Sequence, residues 1–234
     1  MNFILIGKGK WGSKLYKNLK KIGNIKKVFR SKDNYKFYNF KNIDWVIVAS
    51  PNRCHFQQVR FFLKKNINVF CEKPLTENLN LTKNLISLSK KYRTKLYISD
   101  IEMFKNKRIK ISNKNEIIRS KKSNFSFKKM LYSLAYHDFY ILSKYISLKK
   151  NRISILHKKH KYFEFTIKQN KKTFNFIYDL NKKPTHLINK TNFKIKKNFI
   201  IKMFKNIFYN KVKFEENHIR ALKASTLIDR VLKK

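Results

Sequence analysis

Three of the four glycines in this 234-residue chain, Gly7, Gly9 and Gly12, fall in the spacing G-x-G-x-x-G. They follow residues 2–6, an apolar run that reads as a buried strand, and precede residues 14–21, which read as a helix with Leu15 and Leu19 on one face. In that setting the first glycine permits a tight turn, the second lets backbone approach a pyrophosphate, and the third allows helix and strand to pack closely. The helix start adds free N–H donors and a partial positive charge, and Lys10 and Trp11 sit inside the same cradle. The chemistry is recognition of a dinucleotide diphosphate.

A carboxylate roughly 20 positions beyond such glycines would hold the adenosine-ribose hydroxyls of NAD. Here residues 28–32 read Val-Phe-Arg-Ser-Lys, and Asp33 arrives late. Arg30 stacked on adenine and paired with a 2′-phosphate, helped by Ser31 and Lys32, favours NADP over NAD. The rival explanation is that these cations belong to the basic background of the chain.

Residues 44–75 read DWVIVASPNRCHFQQVRFFLKKNINVFCEKPL. This stretch resembles the glucose-fructose oxidoreductase/inositol dehydrogenase family (Gfo/Idh/MocA), whose dinucleotide domain has one strand ending in T/S-P-N-x-x-H and the next ending in E-K-P. Ser50, Pro51, Asn52, His55, Glu72, Lys73 and Pro74 fall on that pattern. The resemblance covers residues 1 to about 104. It implies an NAD(P)-dependent oxidoreductase acting on a sugar, sugar nucleotide or cyclitol, with these residues around the cofactor and Lys73 catalytic. Physical reasoning agrees, because ligands of a doubly wound sheet sit outside the carboxyl ends of its strands, where both motifs lie. A lysine ammonium there can polarise a carbonyl or donate to a hydroxyl losing its proton. His55 is expected to order the turn and helix start.

The family also carries D-x-x-x-H on a helix of its substrate domain, an i, i+4 pair on one face. Residues 131–138 here read LYSLAYHD. His137 and Asp138 match, implying a catalytic His137 and a substrate-side Asp138, while Ser133 stands where the family has Asp. Serine can hydrogen-bond a hydroxyl but cannot bear charge, which leaves open a second reading, a dinucleotide-binding sensor or scaffold that has lost turnover.

Positioning these groups needs alternating strands and helices. Strands are expected at about 2–6, 25–30, 44–50, 67–71 and 95–99, with helices at 14–21, 55–65 and 79–91 between them. The fold class is α/β: an N-terminal Rossmann doubly wound parallel sheet over 1–104, then a smaller α+β domain over 105–234 for substrate and oligomerisation. In that second part residues 130–148 read as helix, and 153–157, 161–169 and 173–180 as strands of a mainly antiparallel sheet. Residues 105–128 carry no clear pattern, and a final helix at about 215–232 packs back on the first domain. That helix resembles the family's closing helix, so the chain is expected to be complete.

Composition sets the remaining bounds. The formal charge is +44, yet there are 48 lysines against 9 arginines, and lysine, asparagine, isoleucine, phenylalanine and tyrosine dominate. That skew follows A/T-rich codons, and the cations are evenly spread, so the charge reads as a solvated surface rather than a specific nucleic-acid patch. Two cysteines, Cys54 and Cys71, make no disulfide framework or zinc spacing. No apolar run suits a signal peptide or a bilayer span. The expected setting is the cytoplasm, the expected partner a carbohydrate-like small molecule, and the expected state a homo-oligomer; His157, His160 and His186 are expected at the surface.

Overall fold

A computed structural model describes residues 1–105, 108–193 and 198–234. It divides into two compact units, Met1–Phe104 with Asn198–Leu222, and Lys105–Lys197 with Lys223–Lys234.

The first unit is built on β1 (Asn2–Ile6), β2 (Asn24–Phe29), β3 (Trp45–Val48), β4 (Asn68–Cys71) and β5 (Leu96–Ile98). All are parallel, in the order β2-β1-β3-β4-β5. The run Trp45-Val46-Ile47-Val48 is buried throughout, as expected of a central strand covered on both faces. Edge strand β2 instead carries exposed Lys26 and Lys27, charges that discourage further pairing. Helices α1 (Lys10–Leu19), α2 (Asn52–Lys64) and α3 (Leu79–Lys91) make the crossovers. Each expected strand and helix of this region is present, with ends displaced by a few residues.

Two later helices complete the unit's core. Helix α6 (Ile200–Phe208) buries Ile200, Met203, Phe204, Ile207 and Phe208, and its rings meet Phe3, Trp45 and Phe70 at 5.0 to 5.3 Å. The sequence reading contains no helix here. Helix α7 (Phe214–Leu232) contributes its first part, through Leu222, to this unit. Asn217 there accepts from the N–H of Ile98 and donates to its carbonyl, both at 2.9 Å, so a side chain replaces the missing neighbour of edge strand β5. His218 lies 2.7 Å from the carbonyl of Leu96, and burial lowers its pKa.

The second unit holds a six-stranded sheet, ordered β11-β10-β6-β9-β8-β7: β6 (Lys114–Ser120), β7 (Arg152–Lys159), β8 (Tyr162–Gln169), β9 (Lys172–Asp179), β10 (Thr185–Ile188) and β11 (Thr191–Asn192). Only β6 and β9 run parallel. Phe163, Phe165 and Ile167 of β8 alternate inward with Phe174, Phe176 and Tyr178 of β9, and Phe139 packs on Phe165 and Phe176. The segment read as unpatterned contains β6, the link between the two halves of this sheet. The segment read as one helix over 130–148 is broken instead: α4 (Phe127–Met130), a π-helical turn Leu131–Ala135, α5 (Tyr136–Ile141) and a 3₁₀ turn Leu142–Lys144. No helix among the described residues is long and apolar enough to cross a membrane.

Candidate dinucleotide site

Strand β1 ends at Ile6, and the chain turns at once through Gly7, whose φ of 90° is open to glycine and strained for other residues. Its N–H donates to the carbonyl of Phe29 at 2.8 Å, closing the turn against β2. A Cβ on Gly7 would lie 2.7 Å from backbone of Ala49 and Ser50, and one on Gly12 would lie 2.1 Å from the carbonyl oxygen of Gly7. Both glycines are therefore dictated by backbone contact. Gly9 differs, since a Cβ there meets nothing within 4 Å. Gly9 is the N-cap of α1 without a side-chain cap, so the first-turn N–H groups of the helix point outward unsatisfied.

These donors face a cavity of about 930 Å³. The expected residues Gly7, Gly9, Lys10, Trp11 and Gly12 form one wall, Arg30 and Ser31 a second, and Ser50 and Pro51 a third. Asp33, Tyr35, Arg53, Cys54 and Gln58 also line it. Sequence reasoning left these aside as site residues, although each lies within eight positions of an expected one. The Asp33 carboxylate accepts from the backbone N–H of Arg30 at 2.7 Å, which ties up one of its oxygens at the ribose end. The cradle thus offers helix-end donors, an open glycine and flanking cations, a donor set that fits a dinucleotide's phosphates.

The remaining expected residues lie beside this cavity without lining it. His55 is fully buried, its ring nitrogens 2.9 Å from the carbonyls of Pro74 and Ser50, so it braces the turns after β3 and β4 and has no face for a cofactor. Asn52 donates to Glu77 at 2.9 Å. Lys73, half-buried, follows directly from β4 and precedes Pro74 through a cis peptide. Glu72 retains some exposure as a residue, but its Oε1 is sealed from solvent. Burial raises the Glu72 carboxyl above the ordinary carboxylate range, while Trp11, Ser99 and Lys73 pull it back.

In the second unit, Ser133 sits in the π-helical turn and His137 in the first turn of α5, both half-buried. A π turn next to such a residue is a frequent companion of functional sites. Asp138 corrects the expectation drawn for it. It is fully buried, with Oδ1 accepting from Arg119 at 2.9 Å and lying 2.8 Å from His186 Nε2, and Oδ2 accepting from Tyr178 at 2.9 Å. Both oxygens are committed inside the unit, leaving none for a substrate. His186 is likewise buried, not at the surface. Burial alone would push the Asp138 carboxyl up, but Arg119 and His186 outweigh it and hold the carboxyl below its usual range.

Residues 19–99 match the model of an oxidoreductase family with an NAD-binding Rossmann fold, Gfo/Idh/MocA. A 37-residue segment is 60% identical to the uncharacterised oxidoreductase YgjR of Escherichia coli, covering 16% of this chain and 11% of that protein. Among solved structures, UDP-N-acetylglucosamine 3-dehydrogenase GnnA from Acidithiobacillus ferrooxidans is similar with a TM-score of 0.81 at 12% identity, covering 99% of this chain and 96% of the other. The WlbA (WbpB) dehydrogenase from Thermus thermophilus, in complex with NAD and UDP-GlcNAcA, is similar with a TM-score of 0.74 at 12% identity, covering 97% and 94%. Such identities speak to fold alone, while the glycine turn and the strand-end motifs speak to the site. Over residues 19–99 the first unit therefore matches the NAD-binding Rossmann fold of the Gfo/Idh/MocA oxidoreductase family.

Proposed function

We propose that this chain is an NAD(P)-dependent dehydrogenase that moves a hydride between nicotinamide and a carbinol or carbonyl carbon of a sugar, sugar nucleotide or cyclitol. The observation that carries this reading is the cavity above the carboxyl ends of β1 and β3, walled by the glycine turn and the Ser50-Pro51 turn. When bound there, the nicotinamide supplies the hydride acceptor or donor. The protein then has to manage one proton. In the oxidising direction, the substrate hydroxyl loses its proton as the carbon loses hydride. Lys73, in the turn after β4, takes or returns that proton at its Nζ, and His137 is the second group assigned to it. Ser133 supplies a hydrogen bond to the substrate without charge. The structurally similar GnnA and WlbA, whose names and complexes point to UDP-sugars, support a carbohydrate-like substrate. A cytoplasmic homo-oligomer is the setting we assign, in keeping with Cys54 and Cys71 being free thiols.

The 2′-position of the adenosine ribose selects NADP over NAD in this reading. Arg30 and Ser31 line the cavity, and the one carboxylate there, Asp33, is partly committed to backbone. Arg30→Ala is expected to weaken NADP⁺ by about 10- to 100-fold more than NAD⁺, which loses only the stacking of Arg30 on adenine. Calorimetric titration with both nucleotides measures this, and an equal loss for the two would remove the 2′-phosphate assignment. A second reading is favoured by Ser133 alone: a nucleotide-binding protein without turnover. A panel of sugars, sugar nucleotides and cyclitols, followed by nicotinamide absorbance, separates the two, because binding without any hydride transfer supports the second.

A further inference from the structure

Two buried polar atoms, one at the start of α1 and one after β4, lack hydrogen bonds and are complementary. They are the indole N–H of Trp11 and Oε1 of Glu72. Trp11 lies in the first turn of α1 and lines the cavity; Glu72 follows β4 and does not. The two turns flank the one after β3, as the backbone bonds from Ala49 N–H to Ile6 and from Glu72 N–H to Val48 show. The indole is among the groups that hold the Glu72 carboxyl down, yet no hydrogen bond of normal geometry joins them. A buried donor and a buried acceptor left without partners on turns either side of one strand end are satisfied together when one turn shifts to bring them into contact. The other Glu72 oxygen, Oε2, accepts from the backbone N–H of Lys73 at 3.3 Å, so the carboxyl already touches the turn that bears the lysine.

We infer that Trp11 is a positioning residue: filling of the glycine cradle seats its indole N–H on Glu72 Oε1, and Glu72 thereby fixes the backbone from which Lys73 extends. The diphosphate loop and the proton-handling turn are then one latch, set by nucleotide and not by substrate. This rests on the dinucleotide reading above.

The chain has two tryptophans, Trp11 and Trp45, so isotope-labelled indole nitrogens give two N–H signals, assigned with Trp45→Phe. On saturation with NADP⁺, the Trp11 signal is expected to move downfield and its exchange with water to slow about tenfold, the worth of one added hydrogen bond. Glu72→Ala should bind nucleotide with the Trp11 signal in its unbound position, and Glu72→Gln, which keeps an acceptor oxygen, should restore the shift. An unmoved Trp11 signal in nucleotide-saturated wild type overturns the latch, as does the full shift in Glu72→Ala. Should Glu72→Ala fail to fold, the wild type and Glu72→Gln decide alone. If neither NADP⁺ nor NAD⁺ raises the melting temperature of the wild type, the dinucleotide reading itself fails, and the latch falls with it.

Discussion

Asp138→Asn is expected to destabilise the protein by about 3–5 kcal/mol, because it leaves Arg119 as a buried charge without its counterion. The carboxylate is fully enclosed and shared among Arg119, His186 and Tyr178. Urea unfolding followed by circular dichroism measures the loss. Arg119→Met in the same background should recover part of it, since removing both charges is far less costly than removing one. The pH dependence has a fixed sign. The folded-state pKa of Asp138 lies below its unfolded value, so its contribution is full above pH of about 4 and is lost as pH falls through the depressed folded value. Wild type and Asp138→Asn should therefore converge in stability on acidification. Equal stability of the two at neutral pH would show that the network does not hold α5 to β6, β9 and β10.

Lys73→Met is expected to slow hydride transfer by about 10²- to 10⁴-fold while nucleotide binding stays near wild type, the span of a general acid–base group. The methionine keeps the length and the apolar stem of lysine, and Lys73 lies outside the walls of the nucleotide cavity. Single-turnover measurement with a substrate found in the carbohydrate panel separates chemistry from binding. A variant that turns over at the wild-type rate would take the proton from Lys73 and leave it to His137.

The first unit was legible because its signals are local. A strand that is apolar on both faces, such as 45–48, and a glycine spacing confined to six residues need no tertiary information. The signal for α6 was equally present, as Ile200, Met203, Phe204, Ile207 and Phe208 follow the helical period, but interleaved lysine and asparagine mask it. Strand β6 was hidden for a different reason. Its sequence, KNEIIRS, is polar at most positions because buried Asn115 and Arg119 serve hydrogen-bond networks and not apolar packing. The role of Asp138 could not be read at all. Its partners come from 19 and 40 residues away and from a third strand, so only the folded sheet brings them to one carboxylate.

The same distinction separates the site residues. His55 belonged to a recognisable pattern, yet the pattern could not say that both its ring nitrogens face inward to Pro74 and Ser50. Asp33 lay in plain view as a late carboxylate, and only the folded turn shows that one of its oxygens accepts from the Arg30 N–H. Spacing reports which turn a residue occupies; what the side chain can still donate or accept is decided by neighbours distant in sequence.

Whether the cradle at the start of α1 receives a diphosphate is decided by titration calorimetry of wild type and Gly9→Glu with NADP⁺. A side chain at Gly9 meets nothing within 4 Å, so the variant should melt at the wild-type temperature, but its carboxylate would occupy and repel the phosphate position. Wild type is expected to bind saturably and the variant with an affinity lowered at least about 100-fold. Equal affinity for the two proteins would contradict a diphosphate in that cradle.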